Sequence, residues 1–240
     1  LLEKDLLVTW RDPRLKVLVF SGLVGPALVL LAVWRGTSAQ VPAGVLFSLA
    51  SIAGLGVLGA NLFGVERQAL PLLFSFPVER QSILVAKNLG TMLLRLPALA
   101  LVGIATVLLA GSALVFPVLT IALSTELVAA AVDNYVSVLA PIPLAAAGRD
   151  PSRPISGVRG LGTAVTALAG LLATLVVSGP LVFLAWLPHL LGAPWLWVAT
   201  LPLALAGAAG VYFMLTSGAA RLVERREPDL IALAGGEGLA

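Results

Sequence analysis

Apolar residues in this chain run in long blocks separated by short clusters of charge. The blocks fall near 17–34, 42–63, 89–110, 113–132, 161–184 and 194–217. Each is close to the roughly 20 helical residues needed to cross about 30 Å of hydrocarbon. Leu, Val and Ala dominate them, and the Gly and Pro inside are better tolerated in membrane helices than in soluble ones. In lipid every backbone N–H and C=O needs an internal partner, which excludes an open sheet, and the alternating strand pattern of a barrel is missing. Ahead of the first block, LLEKDLLVTWRDPR mixes apolar and charged residues as an interfacial helix ending near Pro13 would. The expected fold is therefore an all-α integral membrane protein with six transmembrane helices. Its expected parts are an amphipathic interfacial helix over 1–14, a six-span domain over 15–218 and a cytoplasmic tail over 219–240.

Composition agrees. Hydrophobic residues make up 59% of the chain and charged residues 11%, against roughly 45–50% and 25% in an ordinary soluble domain. The net charge of +3 would suit nucleic acid, but the basic residues are scattered and form no stripe with interleaved aromatics, so nucleic acid is not an expected partner. The absence of cysteine excludes disulfides, Cys-based zinc sites and thiol nucleophiles. The chain opens without Met and without a signal peptide, which is the expectation for a trimmed start or a part of a longer polypeptide.

The position of the charges gives an orientation. Lys4, Arg11, Arg14 and Lys16 precede the first block; Arg67, Arg80 and Lys87 follow the second; Arg149, Arg153 and Arg159 follow the fourth; Arg221, Arg225 and Arg226 follow the sixth. The opposite face holds Arg35 alone. By the positive-inside rule both termini and the two longer loops are cytoplasmic. Trp34, Trp186, Trp195 and Trp197 fall near the outer boundary, and Trp10, Tyr135 and Tyr212 towards the inner one, as an aromatic belt would. Outside, 35–41 and 111–112 are short, and Pro188 and Pro194 argue for a break in 185–193 that dips back into the membrane. Inside, 64–88 and 133–160 are long enough to hold structure, and LPLLFSF is too apolar for a free loop.

Two charged residues stand inside blocks. Arg95 lies seven residues after Asn88, and Glu126 seven before Asp133, so both sit at similar depth in spans joined by a very short outer turn. Opposite charges there predict an intramembrane pair, since an unpaired one costs about 2.5–3.5 kcal/mol on insertion scales. An internal ion pair is favoured over a polar element of a translocation path, with Arg95 snorkelling alone as the other structural reading. His189 is the sole histidine, which leaves no His-based metal cluster or catalytic triad. Small residues at Gly54, Gly56, Gly59 and Ala60, and at Ala206, Gly207 and Gly210, allow close helix approach.

Three segments resemble the membrane subunits of type-2 ABC exporters, the ABC-2 permease family. They are EKDLLVTWRDPR before span one, NLFGVERQALPLLFSFPVERQSILVAKNL over 61–89, and DNYVSVLAPIPLAAAGRDP over 133–151. The resemblance implies a short coupling helix beneath the membrane between spans two and three. It also implies cytosolic ABC ATPase subunits as partners, and a second six-span half as homodimer, heterodimer or preceding part of a longer chain. ATP and Mg would be bound on the ATPase and no cofactor on these residues. Coupling is expected through Glu66, Arg67, Pro77, Glu79 and Arg80, with a secondary contact near Arg149 and Arg153. The chain contains no G-x-x-x-x-G-K-[ST] loop.

The expected function is thus the permease subunit of an exporter in a bacterial cytoplasmic membrane, moving an amphiphilic, lipid-like or peptide substrate by alternating access. An ion-coupled secondary transporter is the main alternative, although no repeat of two related halves is visible. A membrane-embedded enzyme would need a catalytic group, and HExxH, GxSxG and paired intramembrane acids are all missing.

Overall fold

The structure is a computed structural model and describes residues 2–11, 61–66, 69–141 and 158–235, with positions 16, 20, 23, 24, 27 and 31. The helices with defined bounds are α1 (Leu2–Arg11), α2 (Leu62–Glu66), α3 (Leu70–Ser75), α4 (Arg80–Ala110), α5 (Val115–Leu139), α6 (Val158–Leu190) and α7 (Trp197–Gly235). No strand occurs among the described residues. Among the described residues four helical stretches are long and apolar enough to cross a membrane: Arg80–Ala110, Ser112–Leu139, Ala164–Leu190 and Pro194–Ala232. They correspond to the blocks predicted as spans three to six. The first two predicted spans lie outside the described residues, apart from positions 20, 23, 24, 27, 31 and 61–63.

Helix α5 occupies the centre and packs on α4, α6 and α7, most extensively on α7. Its most apolar window is 72% buried, while that of α6 is only 11% buried. The difference follows from side-chain size and polarity. α5 turns Ala, Val, Ser and Thr inward, and these small side chains admit close helix packing without large apolar surface. α6 leaves Leu168, Leu172, Val176 and Phe183 outward, a surface that hydrocarbon solvates and water does not.

One end of the bundle is closed by tight turns. Between α4 and α5, Gly111 takes φ 87°, a conformation that favours glycine, and its N–H bonds the Val107 carbonyl at 3.2 Å. The chain then reverses through a 3-10 turn at Ser112–Leu114, which makes α4 and α5 antiparallel neighbours. The predicted break at 185–193 is present, towards the end of that stretch. α6 continues through Pro188 to Leu190, and Gly192 at φ 62° closes it. Ala193 N–H bonds the Pro188 carbonyl at 2.9 Å and Gly192 N–H bonds the His189 carbonyl at 3.2 Å. That is a Schellman cap, in which the proline near the helix end contributes its carbonyl.

At the other end, where the basic residues lie, the helices overrun their apolar blocks. α4 begins at Arg80 rather than near 89, α5 runs on to Leu139, and α7 continues to Gly235. The segment predicted as a C-terminal tail is therefore helical over most of its length. Here α2 and α3 tuck beneath the bundle, and Phe63, Leu73 and Phe74 pack with Ile83, Val138 and Val223.

Candidate functional site

The polar residues of the bundle interior are gathered where α4, α5 and α7 meet. Arg95 of α4 donates from Nη1 to Glu126 Oε2 of α5, with both side chains buried. The two residues picked out by matching depth are thus brought together. Closer to the basic end, Asn88 Nδ2 donates to the Tyr212 hydroxyl at 3.1 Å, and Asn134 Nδ2 donates to Thr216 Oγ1 at 3.3 Å. Tyr212 and Thr216 are one helical turn apart on α7, so its face clasps α4 and α5 at once. Several interior oxygens have no hydrogen-bond partner among the described residues, including Asn88 Oδ1, Asn134 Oδ1, Thr125 Oγ1 and Asp133 Oδ2.

A second cluster closes the basic end. Glu66, at the end of α2, accepts from Lys4 Nζ at 2.9 and 2.7 Å and also from Lys87 Nζ. Helix α1 is thereby pinned to α2 and to the first turns of α4. Burial pushes the Glu66 carboxyl up, but Lys87 and Lys4 outweigh this by charge and hydrogen bonding and hold it below its ordinary value. Nearby, the Arg80 guanidinium makes a forked contact with Glu227 of α7, Nε to Oε2 at 3.0 Å and Nη2 to Oε1 at 3.1 Å. It also donates to the Phe74 carbonyl at 3.0 Å and lies 5.1 Å from the Phe74 ring centre. This planar, two-handed contact is one a lysine could not reproduce.

The predicted coupling residues separate into three groups. Pro77 and Glu79 are exposed between α3 and α4. Glu66 and Arg80 instead turn inward: the Arg80 side chain is 16% exposed and is engaged with Glu227. Its burial follows from the extension of α7, which sequence reading placed in a tail. Arg67, Arg149 and Arg153 lie outside the described residues. Sequence reading missed Glu227, Lys4, Asn134 and Tyr212 as partners, because their contacts join residues far apart in the chain. Asn88 and Asp133 did carry a signal, as polar residues spaced seven positions from Arg95 and Glu126.

What the site offers chemically is fixed charge and hydrogen bonding. Among the described residues no group of three or more His, Cys, Asp and Glu could hold a metal ion. Long apolar helices around an interior ion pair are consistent with a transmembrane protein. No family model, curated protein or solved structure matches the chain.

Proposed function

We propose that the chain is the membrane-spanning subunit of an ATP-driven exporter of the ABC-2 type, with six spans and both termini in the cytoplasm. The observation that supports this reading best is α3, a short helix between the end of predicted span two and the start of α4. Leu72 is 63% exposed and Phe76, just past the helix, is 50% exposed, so apolar side chains are turned away from the bundle. Their backing is firm, since Phe74 packs inward and Arg80 ties the segment to α7. An exposed apolar step on a rigid base suits a partner protein, and a movement imposed there would pass directly into α4 and α7. ATP would be bound and hydrolysed on that partner, because these residues contain no phosphate-binding loop.

Energy reaches the membrane helices only through contacts that differ between two states. In this reading ATP binding moves the partner against α3, and the bundle converts between inward- and outward-open forms around an amphiphilic substrate. Purification in mild detergent tests it: an ATPase with a phosphate-binding loop should co-purify in fixed ratio, and transport in vesicles should require ATP. Transport sustained by an ion gradient without ATP would reject it. That result would favour an ion-coupled secondary transporter, a reading supported by the buried Arg95 and Glu126 and the sealed Oδ2 of Asp133. Orientation is tested separately by single cysteines in this Cys-free chain. One at Leu191 should react with an impermeant reagent from outside, and one at Glu79 should not.

A further inference from the structure

The Arg95–Glu126 pair does not balance the charge around it. Asp133 stands seven residues from Glu126 on α5, and Asn88 seven residues from Arg95 on α4, both towards the basic end. The two helices are antiparallel and meet at Arg95 and Glu126. Equal steps of about 10 Å along each therefore place Asp133 and Asn88 at one level. Asp133 Oδ2 and Asn88 Oδ1 are both sealed from solvent and both lack a hydrogen-bond partner. Asn88 is 0% exposed, and its amide nitrogen is committed to Tyr212, so its carbonyl is the end left open. An ionised carboxylate and an amide carbonyl only accept, and no donor among the described residues is directed at either oxygen.

The charges facing that level are few. On α4, Arg95 is held by Glu126, and Lys87 directs its ammonium to Glu66. Helix α7 presents the Tyr212 hydroxyl, and α6 has no titratable side chain from 161 to 188. The predicted spans over 17–34 and 42–63 contain no charged residue at all. One guanidinium thus stands against two carboxylates, Glu126 and Asp133. Arg95 acts on both through charge, but one guanidinium cannot balance two buried carboxylates, and the second is disfavoured as an ion. A proton removes the charge and supplies the missing donor in one step, and it needs only one oxygen. A bound metal cation would need several oxygen ligands. The Asp133 residue as a whole is of intermediate exposure although Oδ2 is sealed, which leaves a way in for water.

We propose that Asp133 is a proton-binding site inside the membrane, set two helical turns below the Arg95–Glu126 pair and exchanging with water at the basic end. One hydronium and one carboxylate give one carboxylic acid and one water, and the new bond is O–H on Asp133. The site does not depend on how transport is powered.

Infrared spectroscopy of the purified protein in lipid vesicles at neutral pH tests this, with the aspartate carboxyl carbons labelled with carbon-13. The wild type should show a carboxylic-acid C=O band that shifts with the label and shifts again in deuterium oxide. Asp5, Asp12, Asp150 and Asp229 lie outside the apolar blocks, and Asp133→Asn separates their contribution from that of Asp133. The band should vanish in Asp133→Asn. It should vanish also in Glu126→Gln, because Arg95 then faces a single carboxylate and Asp133 ionises. Absence of the band in labelled wild type overturns the proposal, as does a band that moves only when glutamate is labelled or that survives in Asp133→Asn. If Asp133→Asn does not fold, the labelled wild type decides alone.

Discussion

Replacing Arg95 or Glu126 with leucine removes one half of a pair whose side chains are 10% and 3% exposed. Water cannot solvate the half that remains. Breaking a buried pair in this way costs about 3–5 kcal/mol, and insertion scales put a lone charge at mid-membrane at about 2.5–3.5 kcal/mol. A loss of about 3 kcal/mol is therefore expected for Arg95→Leu, and a smaller one for Glu126→Leu, where an ionised Asp133 offsets part of the Arg95 charge. The double variant leaves no orphaned charge, and well-packed apolar replacements of buried pairs are often neutral or better. Its loss should be smaller than either single loss, giving a coupling energy of about 3 kcal/mol or more. This is well above the maximum of about 1.7 kcal/mol measured for ordinary interhelical hydrogen bonds in a membrane protein. The assay is reversible unfolding of wild type, both singles and the double variant in lipid bicelles, analysed as a double-mutant cycle. Losses that simply add would refute the pairing.

Three further outcomes follow from other contacts. A Cβ added at Gly170 would lie 2.6 Å from Val136 Cγ2; Gly170→Ala should destabilise by about 1–3 kcal/mol, and adding Val136→Ala should recover most of it in the same unfolding assay. Reversing Arg80 to Glu should loosen α3 from α7, read as faster proteolysis between 69 and 80, while the exchange Arg80→Glu with Glu227→Arg should restore protection. Because the Glu66 carboxyl is held below its ordinary value, its contribution is fully present above the unfolded pKa near about 4.3. It is lost as pH falls through the lower folded value, so a fluorine label at Trp10 should report release of α1 in acid. In Glu66→Gln that acid transition should be absent.

The sequence is informative about membrane-crossing helices and less so about what extends beyond them. Hydropathy marks the residues that lipid solvates, so the blocks behind α4 to α7 were visible, but their basic ends were not. Residues 80–88 and 219–235 continue the same helices with alternating charged and apolar residues, which reads as loop or tail when only apolar runs are counted. Pro188 did mark the break: it sits in the last turn of α6, where its carbonyl serves the Schellman cap as the helix ends. Arg95 and Glu126 could be matched because a two-residue outer loop fixes the register of two consecutive helices. No such rule links Arg80 to Glu227, 147 positions away, or Lys4 to Glu66, 62 positions away. Those pairs depend on how the basic end folds back on itself.

The coupling role of α3 is the claim on which the functional reading turns, and a photo-reactive amino acid at Leu72 tests it most directly. This side chain is 63% exposed and makes no contribution to the buried core beneath α3, so the substitution should leave the fold intact. Irradiation in cells should link the chain to a protein that carries a phosphate-binding loop, and adding ATP with vanadate to isolated membranes should change the yield of that link. Crosslinks to lipid alone, in membranes that still carry out transport by this protein, would contradict the account.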